Sequence, residues 1–274
     1  MYDTAFIKEI IINAGQIAKD HFLKVRPTWK EDRSYVTDAD LAVQEYLGKA
    51  LDTHFPDDGI VGEENGLRKA PKVGDRRWVI DPIDGTASYS SGLPVWGVAI
   101  ALVEGDQPVA GFFYMPMAQD LIYTTLDGQL FRNDQPRTLR APGALHRETS
   151  LFIASRLHLY YTVSPSYPGK LRNLGASMAH LSYVAVGSAD AAHIERVYIW
   201  DIAAGMAMLN AVGGVMRYID GTPVTLGPLL SGNPMHLPLL AGHPEMVSAF
   251  SEIIAFNAAG YDDRQVERSV SDTS

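Results

Sequence analysis

Residues 76–102 read RRWVIDPIDGTASYSSGLPVWGVAIAL. An apolar run, Trp78-Val79-Ile80, drives into two aspartates three positions apart, Asp81 and Asp84, and Gly85 and Thr86 follow at once. Pro82 fixes its own φ and disfavours helix at Asp81, so the chain is expected to turn where the strand ends. Two carboxylates and the carbonyl of Ile83 then converge on one point. Unpaired, they repel each other; a hard divalent cation with oxygen ligands removes the conflict. A helix starting at Gly85-Thr86 sets backbone N–H groups and a hydroxyl beside that cation, a place for a phosphate. The same residues also make an ordinary Pro-Asp-Gly turn, and this stretch alone leaves both readings open.

Two further acidic stretches bear on the choice. Ile60-Val61-Gly62-Glu63-Glu64-Asn65-Gly66 sets adjacent glutamates at an expected strand end, between glycines that let backbone approach a ligand. Trp200-Asp201-Ile202-Ala203-Ala204-Gly205 puts an aspartate between an expected strand and helix. Asp201 taken alone reads as a helix N-cap, and the glutamates as a solvated loop. Three strand ends that each terminate in carboxylates make an all-oxygen set suited to Mg²⁺ rather than zinc.

Around these motifs the chain changes period. Phe6, Ile7, Ile10, Ala14, Ile17 and Ala18 recur at helical spacing from Thr4 to about Lys24. A second helix follows Thr37 as N-cap, with Val43, Leu47, Ala50 and Leu51 on one face, and stops at Pro56. Val95 to Val103, Val109 to Tyr114 and Leu121 to Thr125 read as a meander of strands. Beyond them alternation is expected: strand Leu151 to Ser155, helix Leu171 to Val186, strand to Trp200, helix from Ile202, strand Gly214 to Ile219, strand Leu237 to Ala241, and a last helix with Pro244 at N1. Helices flanking a meander, then β-α alternation, predict a layered α+β or α/β architecture.

The 274 residues are 46% hydrophobic and 20% charged, ordinary for a globular chain with a sizeable core. A net charge of −9 repels nucleic acid and anionic membranes unless positive charge is clustered or a bound cation supplies it. There are no cysteines, which removes disulfides, thiolate metal sites and cysteine nucleophiles together. MYDTAFIKEI lacks the basic start of a signal peptide, and no apolar run approaches the roughly 18 residues of a spanning helix, so a cytoplasmic protein is expected. Neither GxSxG nor a Walker pattern is present, which disfavours serine hydrolases and P-loop NTPases.

The motifs taken together resemble the Mg²⁺-dependent, lithium-sensitive inositol monophosphatase family, part of the sugar-phosphatase superfamily that includes fructose-1,6-bisphosphatase. The resemblance rests on Val36-Thr37 with Asp40, GEENG, WVIDPIDGT with Gly92 and Pro94, Gly175 in RNLGAS, Ala189-Asp190 and WDIAAG, and runs to about residue 255. It implies a layered αβαβα sandwich and a homodimer. The chain then reads as one domain over 1–274, with a metal-binding α+β lobe over roughly 1–145, an α/β lobe over 146–260 and a polar tail over 261–274. By the same resemblance Glu63, Asp81 and the carbonyl of Ile83 hold one magnesium, and Asp81, Asp84 and Asp201 another, with two or three ions per site. Glu63 and Thr86 orient the attacking water, Asp40 supports Thr86, and Asp84, Gly85, Thr86, Gly175, Ala176, Glu195 and Asp201 face the substrate.

Departures from the family pattern fall on the substrate side. Ser88-Tyr89 stand where relatives have Asn-Phe, Ala176 where Ser or Thr is common, and Ile194 where the inositol enzymes carry a glutamate, with Glu195 one residue later. A strand neighbour points to the opposite face, so Glu195 takes that role only through a bulge or shifted register. The expected function is Mg²⁺-dependent hydrolysis of a small phosphorylated polyol or sugar, inositol-1-phosphate-like, by metal-activated water. Histidinol-phosphate phosphatase, fructose-1,6-bisphosphatase and nucleotide 3′-phosphatase are the alternatives, and a non-catalytic metal- or phosphate-binding regulator is the alternative of another class. Lys30 is placed near the site by resemblance, His193 reads as structural, and Arg68, Lys69, Lys72, Arg76 and Arg77 read as a solvated basic loop.

Overall fold

The computed structural model describes residues 2–24, 26–30, 35–235 and 237–256. Helix α1 (Thr4–His21) starts on Asp3, whose carboxylate accepts from the Ala5 and Phe6 N–H groups. A short ribbon, β1 (Thr28–Trp29) with β2 (Tyr35–Val36), leads into α2 (Asp38–His54). Thr37 caps α2 through a reciprocal box, its own N–H donating to the Asp40 carboxylate. The apolar stripes of α1 and α2 lie on one face of a large sheet.

That sheet contains β3 (Gly59–Gly62), β4 (Arg68–Lys69), β5 (Arg76–Asp84), β6 (Gly97–Glu104), β7 (Gln107–Met115), β8 (Asp120–Thr124), β9 (Leu130–Arg132) and β10 (Gln135–Arg137), in the order β10-β9-β8-β7-β6-β5-β3-β4. The expected meander is β6 to β8. A second sheet holds β11 (Ser150–Phe152), β13 (Lys170–Arg172), β14 (Ala191–Ile194), β15 (Val215–Tyr218) and β16 (Leu239–Gly242), ordered β13-β11-β14-β16-β15. Helices α5 (Ser177–Ala185) and α6 (Ala203–Ala211) fill the space between the sheets, touching β6 and β7 on one side and β14, β15 and β16 on the other. Helix α7 (Pro244–Ile253) covers the outer face of the second sheet, beside the short α4 (Leu157–Tyr160) and the ribbon of β12 (Tyr161–Val163) and β17 (Ile254–Phe256). The result is an αβαβα sandwich, as expected.

Three local expectations are corrected. Strand β5 does not end at Asp81; it continues to Asp84, and its pairing with β6 shifts register between the two aspartates, where Pro82 offers no N–H to the ladder. The helix expected over Leu171–Val186 starts only at Ser177, because Lys170–Arg172 pairs with β11 and Gly175 adopts φ 83°. The strand expected to reach Trp200 ends at Ile194, since Arg196 turns into the left-handed region at φ 51°. The tail at 261–274 lies outside the described residues.

Candidate active site

The register shift in β5 leaves Asp81 and Asp84 near the same point, both almost wholly buried at 1% and 3% exposure. Gly85 then takes φ 87° as N-cap of α3 (Thr86–Ser90), a conformation an L side chain resists. A Cβ at Gly85 would also stand 3.0 Å from Ala176 Cβ and 3.1 Å from the Gly175 carbonyl oxygen, so the DPIDGT turn and the loop before α5 abut closely. The Ser88 hydroxyl donates to that carbonyl at 3.1 Å. The departure at position 88 thus ties α3 to the α5 loop.

Asp84 reaches further across. Its Oδ1 accepts from the Ser177 N–H at 3.0 Å and its Oδ2 from the Met178 N–H at 2.9 Å, so a carboxylate of the first sheet caps a helix of the inter-sheet layer. Helix α5 has no capping side chain of its own at Ala176. The His180 ring, stacked on Phe152 at 5.0 Å, accepts the Leu174 N–H at 2.9 Å and so fixes the approach to Gly175.

Asp201 completes the group. One carboxylate oxygen from each of Asp81, Asp84 and Asp201 lies within 4.8 Å of the others. Asp201 does not cap α6, whose N-cap is Ile202; it accepts from the Tyr198 N–H at 2.7 Å, which folds the preceding turn and aims the side chain at the cluster.

Glu63 stands at the end of β3, its N–H donating to the Ile80 carbonyl at 3.2 Å. Gln44 holds the next residue to α2, accepting from the Glu64 N–H at 2.7 Å and donating to the Glu64 carbonyl at 2.8 Å. Lys30 Nζ donates to Glu63 Oε1 at 2.6 Å and to Glu64 Oε1 at 2.5 Å.

The electrostatics show one shared problem. Burial pushes the Asp81 carboxyl well up, and the charges of Glu63, Asp84 and Asp201 push it further. Burial also raises Asp84, with Asp201 next among the causes, and it raises Asp201. For Glu63, burial outweighs the opposing Lys30 charge. Asp40, also buried, is raised to about 6 by burial against the Thr37 hydrogen bonds. Its Oδ1 lies 3.4 Å from Thr86 Oγ1, which donates to the Ile83 carbonyl at 2.9 Å.

This donor set fits a hard divalent cation. It is all oxygen, and among the described residues Asp81 Oδ1 is buried without a hydrogen-bond partner. Asp81, Asp84 and Asp201 each offer one oxygen to such an ion.

Of the residues expected at the substrate, Gly85, Thr86, Gly175 and Ala176 gather around the turn, whereas Glu195 does not join the carboxylates. Ile194 packs into the core shared with α5 and α6, while His193 sits on the α7 side and Glu195 Oε1 lies 3.6 Å from its Nδ1. Burial raises Glu195 to about 7.

Sequence reasoning missed Gln44, whose signal was a polar residue on the stripe of Asp40, Val43, Leu47 and Leu51. The basic stretch is exposed at Arg68 and Lys72, as expected, but its cations also find partners: Arg76 pairs with Asp58 at 2.7 Å, Lys69 with Asp52 at 2.5 Å, and Arg68 donates to main-chain carbonyls.

A layered αβαβα sandwich whose strand ends pool buried carboxylates around an oxygen-donor pocket defines the class of metal-dependent phosphatases. The sequence profile of the Inositol monophosphatase family matches residues 2–241, and the chain belongs to that family. A fructose-1,6-bisphosphatase/inositol-1-monophosphatase from Aquifex aeolicus is 28% identical over 235 residues, 80% of this chain and 86% of that protein. A histidinol-phosphatase from Chlorobaculum parvum is 31% identical over 225 residues, 77% of this chain and 84% of that one. An IMPase structure from Thermotoga maritima superposes with a TM-score of 0.75 at 23% identity, covering 91% of this chain and 96% of that one. No helix among the described residues is long and apolar enough to cross a membrane.

Proposed function

We propose that this protein is a Mg²⁺-dependent phosphomonoesterase that hydrolyses a small phosphorylated polyol or sugar by direct attack of water. The observation that carries the reading is the meeting of Asp81, Asp84 and Asp201 within 4.8 Å, beside Glu63 and Thr86. These oxygens would hold Mg²⁺, and the chemistry it would supply there is a lowered water pKa, which makes hydroxide available as the nucleophile, and neutralisation of phosphoryl charge. The chain's own residues do the rest. When the Thr86 hydroxyl turns its hydrogen bond from the Ile83 carbonyl to Asp40, its oxygen lone pairs accept a hydrogen bond from the incoming water. Glu63 accepts the proton that water loses. The α3 amides beside Gly85 face the phosphoryl oxygens, and Asp84 holds the turn against α5. Two or three ions per site, inhibition by lithium, a homodimer and a cytoplasmic location belong to the same proposal.

The substrate reading follows from Ile194. A buried aliphatic side chain stands seven residues before Asp201, so no carboxylate there meets a polyol hydroxyl. This disfavours myo-inositol phosphate among the small phosphorylated polyols and sugars, with histidinol phosphate as the alternative. Phosphate release measured over sugar, polyol, histidinol and nucleotide phosphates, with and without Mg²⁺, tests both levels. Release from none of them in the presence of Mg²⁺ removes the enzymatic reading; inositol phosphate outpacing every other substrate removes the argument from Ile194.

A further inference from the structure

The Glu63 loop and the Asp201 turn come from distant parts of the chain and carry charges that repel. Something must hold them at a fixed distance. One side chain touches both. Arg68 donates from Nη1 to the carbonyl of Gly62, the residue before Glu63, and at 2.7 Å to that of Leu67. Its guanidinium carbon also lies 5.3 Å from the ring centroid of Trp200, the residue before Asp201. Trp200 is buried in the inter-sheet core, and its ring stacks on Tyr198 at 4.8 Å with the planes 10° apart. The guanidinium also lies against Gly232, where an added Cβ would crowd Nη2, while the Arg68 side chain as a whole is exposed.

The geometry points to Arg68 as a positioning residue that fixes the Glu63 loop against the Asp201 turn and thereby sets the affinity of the carboxylate cluster for a divalent cation. Among the described residues Arg68 hydrogen-bonds to no carboxylate of the cluster; it acts through Gly62 and Trp200. Arginine suits the task because a planar, permanently charged fork can serve two carbonyls in its plane and an aromatic ring on its face together. Lysine, a point charge on a flexible stem, cannot do both. Without the brace the Gly62 carbonyl loses a donor, the Trp200 ring loses its cover, and Glu63 and Asp201 can spread under mutual repulsion.

The inference rests on the cluster being a cation site, so the test separates the two. Mn²⁺ is titrated into the metal-free protein and free Mn²⁺ is read by electron paramagnetic resonance, alongside thermal melting without metal. Arg68→Met and Arg68→Lys are each expected to weaken Mn²⁺ binding about tenfold or more, the usual effect of losing an outer support of a metal site. Their metal-free melting temperatures should stay within about 3 °C of wild type. Trp200→Phe, which keeps a ring face, should bind almost normally, and Arg68→Met combined with Trp200→Leu should bind no worse than the weaker single variant. Wild-type affinity in both Arg68 variants overturns the inference, as does weakening that merely tracks a loss of melting temperature, or full additivity with Trp200→Leu. A wild-type protein that binds no Mn²⁺ takes down the cation site and this inference together.

Discussion

Replacing Asp81 by Asn should make the metal-free protein more stable and the enzyme inactive. Asp81 is 1% exposed, its Oδ1 has no partner among the described residues, and its charge adds to those of Glu63, Asp84 and Asp201. Two unit charges 4.8 Å apart, the outer limit of the aspartate cluster, repel by about 3.5 kcal/mol at an effective dielectric constant of about 20. The raised pKa means that part of this repulsion is already relieved at neutral pH by protonation, so the amide recovers about 1–3 kcal/mol. At about 2–4 °C per kcal/mol for a chain of this size, the metal-free melting temperature should rise by about 2–12 °C. Mg²⁺ at a hundred times its dissociation constant stabilises the wild type by about 2.7 kcal/mol through mass action, and the variant should lose most of that. Phosphate release should fall by about 10²–10³ or more. Differential scanning fluorimetry with chelator and with Mg²⁺ shows the crossing: the variant melts above wild type without metal and gains little from adding it. A variant that melts at or below wild type without metal, or gains as much from Mg²⁺, would refute the reasoning.

The other outcomes concern how the site is held. Gly85→Ala forces a side chain into φ 87° and against Ala176 and the Gly175 carbonyl, so it should cost about 2–5 kcal/mol in urea unfolding; a loss under about 1 kcal/mol would show that the turn relaxes freely. Gln44→Leu leaves the Glu64 N–H and carbonyl without their partner and should cost about 2–6 kcal/mol, together with weaker metal binding; unchanged stability would mean that water replaces the amide. His180 is held neutral by burial, its pKa lowered from 6.5 to about 4. Its contribution is therefore complete above about pH 6.5 and is lost as pH falls toward 4, amounting to about 3 kcal/mol. His180→Gln, which does not titrate, should close that gap on wild type between pH 7.5 and 4 in urea midpoints. Parallel profiles for the two proteins would rule the histidine out.

What the sequence made legible was chemistry concentrated at strand ends. Asp81, Asp84 and Asp201 were readable because each follows an apolar run and so has its position set by one local element. Helices α1 and α2 were readable for the same reason: their apolar stripes repeat every turn. What stayed hidden depended on contacts between distant segments. The residues from Leu171 to Ala176 have helical spacing, yet β11 recruits Lys170–Arg172 as an edge strand and Gly175 breaks the path. Val197 to Trp200 look like strand, but the Tyr198 N–H is taken by Asp201 and the chain has already turned at Arg196. Arg68 is exposed, as a basic loop residue should be, but its ring partner lies 132 positions away, a pairing that no local pattern encodes. The face of Glu195 was undecided until β14 paired with β16 and fixed which neighbour enters the inter-sheet core.

The cap that Asp84 places on α5 has a consequence for biosynthesis. Its two amide donors arrive 93 and 94 residues later, and Asp201 later still. A nascent polypeptide can form most of its first sheet while the pocket still lacks a wall, and closing so long a loop carries an entropic cost that only the finished inter-sheet layer repays. A truncated product ending before Ser177 would carry Asp81 and Asp84 without the α5 amides or Asp201, and so would not assemble the carboxylate cluster.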